Sequence, residues 1–134
     1  MVRKRSTHPT PTTITTDGSP MILTLEDENV FAELRSNLAE INTVHGVKGY
    51  ILRNSTTAVI DLQNAEKLVE YALLFSETVD CIRDISQLFS LNITNVVLEG
   101  KKLKMLCMIK GGNNLCIFVE KNVEYADIFR RISR

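Results

Sequence analysis

Nonpolar residues between positions 64 and 89 recur at the spacing of one long α-helix, in a stretch without glycine or proline. Asn64 is suited to cap the start of this helix, and Glu66 places a negative charge in its first turn. Two nonpolar stripes run side by side along it. The first contains Leu68, Ala72, Phe75, Val79 and Ile82, and the second contains Tyr71, Leu74, Cys81, Ile85 and Leu88.

The two stripes together are wider than one surface can cover. Docking on a single sheet needs a nonpolar arc of roughly 100°, whereas this helix presents an arc of about 200°. Leaving Leu74, Ile85 and Leu88 in water would forgo about 1.5 to 3 kcal/mol for each side chain. We therefore predict that the second stripe packs against a partner, and that the partner is the same helix of a second copy.

The segments around this helix predict five strands and two further helices. Alternating nonpolar and polar residues, bounded by turn-forming residues, predict strands at residues 47–53, 57–62, 93–99, 102–110 and 114–120. A first helix to about residue 42 buries a narrow stripe, and a closing helix spans about residues 124–134. The order α-β-β-α-β-β-β-α predicts an α+β fold, a five-stranded antiparallel sheet with helices on both faces.

Residues 1–20 have a different composition from the rest of the chain. They contain all three prolines and eight serines or threonines, with few residues that could build a core. We predict a disordered basic tail over residues 1–20 and one folded domain over residues 21–134. Arg3, Lys4 and Arg5 are either a solvated end or a contact for an acidic partner or lipid headgroups.

The overall composition and net charge of the chain limit the classes of partner. The 134 residues are 44% hydrophobic, and 16 basic residues balance 16 acidic ones. No net charge attracts nucleic acid, and no nonpolar run reaches the roughly 20 residues that span a membrane. The basic start is followed by threonines and prolines instead of a signal sequence, so we expect a cytoplasmic protein.

Candidate chemistry is sparse. Cys107 and Cys116 would face each other across a hairpin if Gly111 and Gly112 are its central residues, which favours reduced thiols over a disulfide or a metal site. The Gly-rich loop at residues 110–114 leads into a strand, whereas a phosphate-binding loop leads into a helix. His45 has no nearby nucleophile or second ligand. We therefore predict no metal, no cofactor and no catalytic residue.

The remaining face of the central helix is acidic. Glu77, Asp80 and Asp84 lie on it with one nonpolar residue, Leu73. Carboxylates on such a face are normally solvated, but with Leu73 they are candidate contacts for a protein partner. A well-patterned domain without catalytic equipment is typical of an interaction module.

Three short segments accompany this order of elements: Val44-His45-Gly46-Val47-Lys48-Gly49 entering the first strand, Val96-Val97-Leu98-Glu99, and Asn114-Leu115 followed by Lys121-Asn122-Val123. Together with the element order, they resemble the roadblock/dynein light chain family. The similarity covers about residues 26–132. The chain departs from the family at the first hairpin, where many members have Asp or Asn followed by Gly and this chain has Asn54-Ser55-Thr56.

The resemblance implies a homodimer, or a heterodimer with a related roadblock chain. In this arrangement the long helices pack together and the third strands pair edge to edge into a ten-stranded sheet. The interface residues implied are Leu74, Cys81, Ile85, Leu88, Ile93, Asn95 and Val97.

The resemblance also implies a function. Family members are known as non-catalytic partners of small Ras-like GTPases, as subunits of lysosomal signalling scaffolds and as dynein light chains. Some bacterial members, as dimers, accelerate GTP hydrolysis without an arginine finger. The implied function is a non-catalytic dimeric regulator or scaffold for a small Ras-like GTPase, with GTPase activation left open. The alternatives are a small-molecule sensor or profilin-like adaptor module and, third, an enzyme.

Overall fold

The computed structural model describes residues 12–15 and 25–132, with side chains from residue 28 onward. The predicted order of elements is confirmed over residues 25–132. The helices are α1 (Leu25–Ile41), α2 (Leu68–Phe89) and α3 (Tyr125–Ile132). The strands are β1 (Thr12–Thr15), β2 (Val47–Arg53), β3 (Thr57–Leu62), β4 (Asn95–Glu99), β5 (Leu103–Lys110) and β6 (Asn113–Glu120).

The five predicted strands form one antiparallel sheet, and β1 extends it at one edge. The strand order is β1-β3-β2-β6-β5-β4. The short connections between β2 and β3 and along β4-β5-β6 explain why sequence neighbours pair, since two antiparallel strands need only a tight turn. β4 lies at the end of the sheet opposite to β1.

β1 differs from the prediction of disorder for its four residues. Thr12, Thr13, Ile14 and Thr15 are all β-branched, and such residues favour extended backbone. The composition of residues 1–20 concealed this local preference, because a strand added to an edge needs backbone partners and little core. The other residues of the predicted tail lie outside the described residues.

Helices cover both faces of the sheet, as predicted. On one face Leu34, Leu38 and Ile41 of α1 pack with Ile128 and Ile132 of α3. On the other face, Phe75, Val79 and Ile82 of α2 pack against the sheet. Since α2 is the sole helix on its face among the described residues, its outer side has no neighbouring helix to cover it.

The β5–β6 hairpin has the predicted geometry. Lys110 pairs with Asn113, which makes Gly111 and Gly112 the central residues, and Cys107 lies opposite Cys116. Both cysteines are buried and free. Burial, and then the neighbouring Cys107 thiol, raises the pKa of Cys116 well above its ordinary value. The predicted placement of the two cysteines opposite each other is confirmed.

Candidate protein-interaction surface

The ends of α2 are defined by local hydrogen bonds. The Asn64 side-chain oxygen accepts from the backbone N–H of Glu66 at 3.1 Å, and a 3-10 turn at Ala65–Lys67 leads into the helix. At the other end Ser90 adopts the left-handed conformation with φ 53°, and the N–H of Leu91 donates to the Ser86 carbonyl at 2.8 Å. Asn64 therefore caps the 3-10 turn, whereas the N-cap residue of α2 itself, Lys67, makes no side-chain capping hydrogen bond. α2 begins at Leu68, later than a cap at Asn64 predicts, and has 22 residues.

The inner side of α2 packs on the sheet. Phe75 and Val79 are 1% exposed, and the Tyr71 ring stacks on Phe118 with 4.4 Å between centroids. Tyr71 therefore belongs to the inner side, which corrects its assignment to the second stripe from helical spacing. Its angular position lies between the two stripes, and its long side chain reaches the sheet.

The other members of the second stripe form the outer stripe: Leu74, Cys81, Ile85 and Leu88. Leu74 is 44% exposed, Ile85 41% and Leu88 76%, and Cys81 is exposed. Thr78 lies among them, and its hydroxyl donates to the Leu74 carbonyl oxygen at 2.7 Å. The predicted nonpolar surface is thus present and is not covered by any described part of the chain.

An open groove separates the outer stripe from β4. Its volume is about 330 Å³, and Ile93, Val96 and Leu98 line its sheet side. Glu77 is the one charged residue in its lining. Such a nonpolar groove on a chain of this size is typical of a surface that contacts another protein.

The outer edge of β4 presents backbone groups without a described partner strand. The N–H of Ile109 donates to the Thr94 carbonyl, and that of Gly100 donates to the Leu103 carbonyl, both at 2.8 Å. Hydrogen-bonded pairs alternate along an antiparallel ladder, so Val96 and Leu98 bond to β5. The N–H and C=O groups of Asn95, Val97 and Glu99 consequently point to the open edge.

The side chains of β4 differ from the sequence-based assignment. Val97 packs into the core beneath α1 and α3, so only its backbone lies at the open edge. Asn95 precedes Val97 by two residues and so lies on the same face of the strand, where its side chain is exposed. Ile93 does lie on the α2 side, because it precedes the strand and does not follow its alternation.

Sequence reasoning missed Val96 and Leu98, which line the groove. The signal that finds them is register: Val96 pairs with Cys107, which lies on the α2 side of the sheet. It also missed the exposed nonpolar residues Val69, Phe89 and Leu91.

The acidic face of α2 adjoins the groove at Glu77, which lines it, whereas Leu73, Asp80 and Asp84 lie outside the lining. The Leu73 side chain is 59% exposed. Arg83 Nη1 lies 3.4 Å from Asp80 Oδ1 in an exposed ion pair. α2 contains four acidic residues and one basic residue. The face therefore keeps negative charge around a nonpolar side chain, a combination that suits a protein contact.

No group of three His, Cys, Asp or Glu side chains among the described residues could hold a metal ion. In the same part of the chain, every helix is too short or too polar to cross a membrane.

Solved structures share this architecture, whereas no protein-family model and no curated protein matches the sequence. A roadblock/LC7 domain from Streptomyces avermitilis superimposes with a TM-score of 0.60 at 12% identity, over 77% of this chain and 88% of that one. Myxococcus xanthus MglB superimposes with a TM-score of 0.59 at 16% identity, over 85% of this chain and 86% of that one. At these identities the likeness establishes the fold, and the fold implied by the sequence resemblance is confirmed.

Proposed function

We propose that this chain, which has the roadblock fold, is a non-catalytic dimeric regulator or scaffold for a small Ras-like GTPase. The observation that carries the proposal is the outer stripe of α2 beside the open edge of β4. Covering both at once requires a partner that brings a nonpolar helix and a strand edge in the same spatial relation. A second copy of the chain offers that combination, and a two-fold axis satisfies both surfaces simultaneously.

The energetics favour such pairing. Covering the exposed parts of Leu74, Ile85 and Leu88 contributes about 1 to 2 kcal/mol for each side chain. Each backbone hydrogen bond formed at the β4 edge adds about 0.5 to 1.5 kcal/mol. Both contributions occur twice in a symmetric dimer, which offsets the entropy lost on association.

The spacing of the outer stripe suits helix-on-helix packing. Leu74, Cys81 and Leu88 are seven residues apart, and Thr78 and Ile85 repeat at the same interval between them. Two interleaved seven-residue series are the pattern of a coiled-coil seam. Burial of Thr78 in such a seam costs little, because the Leu74 carbonyl already accepts from its hydroxyl.

The GTPase part of the proposal rests on the family resemblance and on the acidic face of α2. Leu73 and Asp84 lie on the helix side away from the groove, so a dimer formed through the outer stripe leaves them accessible. A partner contacting this face would meet a nonpolar side chain surrounded by carboxylates. The chain would act by positioning the GTPase's own catalytic groups, as the resemblance implies.

Capture from source-cell extract tests this part. Tagged protein is incubated with extract containing GDP or a non-hydrolysable GTP analogue, and bound proteins are identified by mass spectrometry. We expect one small GTPase to be enriched in one nucleotide state. Leu73→Ser with Asp84→Asn should reduce its recovery about ten-fold, because the contact loses nonpolar area and charge.

A matched control is Glu28→Gln with Glu33→Gln, which removes exposed charge from α1 on the opposite face of the sheet. This control should capture the GTPase as the wild type does. Absence of any GTPase in both nucleotide states, while the protein remains dimeric, would contradict the regulator function and leave the dimer intact.

A further inference from the structure

The edge of the sheet opposite to β4 is covered by the chain itself. β1 pairs with β3 in the register Thr12 with Ile60 through Thr15 with Thr57. β3 has the sequence TAVIDL, without the proline or lysine that commonly protects an edge strand from pairing. Without β1, this edge would be a second place where the sheet could accept a strand.

The hydrogen-bonding sides of β3 follow from its turn with β2. The Asn54 N–H donates to the Thr57 carbonyl at 2.9 Å, which by alternation directs the backbone of Val59 toward β2. The N–H and C=O groups of Ala58 and Ile60 are therefore directed toward β1.

In the observed register Ile14 is opposite Ala58, and Thr12 is opposite Ile60. These are the residues of β1 whose backbone bonds to β3. The backbone N–H and C=O groups of Thr13 and Thr15 point away from β3.

β1 pairs with residues 57–60 of β3, and no described residue pairs with Leu62 on this edge. An extended segment of a partner chain can make every backbone bond that β1 makes with β3, whereas β1 has the advantage of being tethered to the domain.

We propose that the β3 edge is a strand-acceptor site, which Thr12–Thr15 closes in cis and which an extended, uncharged, β-branched segment of a partner chain can occupy. The composition of β1 specifies this chemistry, because all four of its residues are β-branched and uncharged. The site is separate from the α2–β4 surface, since β3 and β4 are separated by three strands in the sheet.

The test compares two proline variants of the full chain. Ile14→Pro removes an N–H directed toward β3, whereas Thr13→Pro removes one that points away, so Thr13→Pro is the matched control. Hydrogen–deuterium exchange by NMR reports the amides of Ala58 and Ile60. The Val59 amide faces β2 and reports whether the domain stays folded.

In Ile14→Pro, we expect the backbone amides of Ala58 and Ile60 to exchange at least about ten-fold faster than in the wild type. The exchange rate of the Val59 amide should be unchanged. A fluorescent synthetic peptide with the sequence of residues 8–18 should then bind Ile14→Pro saturably. The same peptide should bind the wild type and Thr13→Pro at least about ten-fold more weakly, because their own β1 occupies the edge.

Three results would overturn the proposal. Wild-type Ala58 and Ile60 exchanging as fast as in Ile14→Pro would show that β1 does not close the edge. Equal behaviour of the two proline variants would contradict the assigned hydrogen bonds. Ile14→Pro that exposes the edge but binds no peptide would show that the edge does not accept a strand in trans.

Discussion

At the level of single residues, the Tyr50 side chain is buried, and its hydroxyl has no hydrogen-bond partner among the described residues. Burial is the main reason that its pKa is raised to about 12, and the Asp61 carboxylate adds to the effect while Arg35 opposes it. A raised pKa means that the folded state holds the phenol proton more tightly than the unfolded state. The neutral form therefore contributes stability below pH 10, and this contribution is lost between pH 10 and about 12.

We predict that Tyr50→Phe removes this alkaline loss of stability, which amounts to about 3 kcal/mol at most. At neutral pH the variant should be as stable as the wild type or slightly more stable, because it no longer buries an unpaired hydroxyl. Urea unfolding followed by circular dichroism at pH 7, 10 and 12 measures both effects. Tyr125→Phe, at an exposed tyrosine, is the control; equal pH dependence in the two variants would refute the assignment.

Two glycines in the sequence segment that resembles the family are explained by backbone geometry. Gly46 has φ 91° and Gly49 has φ 148°, conformations that side chains disfavour. A Cβ atom at Gly46 would lie 2.5 Å from Val123 Cγ2, and one at Gly49 would lie 2.7 Å from Leu62 Cα. The segment thus reports how the chain enters β2 and is informative about fold, not about a partner.

At the scale of elements, α2 was predictable because its two stripes follow helical periodicity for 22 residues. β2 and β3 have the predicted bounds, since Gly46 and the Asn54 turn mark their ends clearly. β4 begins two residues later than predicted, because Ile93 and Thr94 are also strand-forming types. Ile93 therefore lies outside the alternation of β4, so the alternate residues counted from it, Asn95 and Val97, do not line the groove, whereas Val96 and Leu98 do.

The outer stripe gives a prediction for substitutions in α2. Ile85→Asp with Leu88→Asp should weaken self-association by at least about 100-fold, because each subunit would bury two carboxylates without partners. The control is Val69→Asp with Leu73→Asp, on exposed positions of the same helix outside the groove. Sedimentation velocity over a concentration series measures both pairs, with circular dichroism to check folding. Equal association of the two variants would move the interface away from the outer stripe.

At the scale of the whole molecule, the architecture follows from local patterns, whereas the binding partner does not. Five strands and three helices each carry their own periodicity, so their order was sufficient to predict the α+β fold. The candidate interaction surface combines α2 with β4, and its composition depends on register and on which edge remains open. No short motif encodes that combination, which is why sequence reasoning located the outer stripe but not the sheet side of the groove.

Charge is also distributed at this scale. The chain as a whole carries 16 basic and 16 acidic residues, yet α2 has four acidic residues and one basic residue. The zero net charge therefore conceals a local negative surface, and local potential rather than net charge steers a protein partner.

Sedimentation equilibrium of the full chain at micromolar concentrations measures its mass in solution and tests the proposed dimer directly. We expect twice the chain mass of 15.1 kDa, because a symmetric pair covers the outer stripe and the β4 edge together. A mass of 15.1 kDa that persists at high micromolar concentration would contradict the dimer. The groove between α2 and β4 would then be free for a different occupant, such as the small molecule of the sensor alternative.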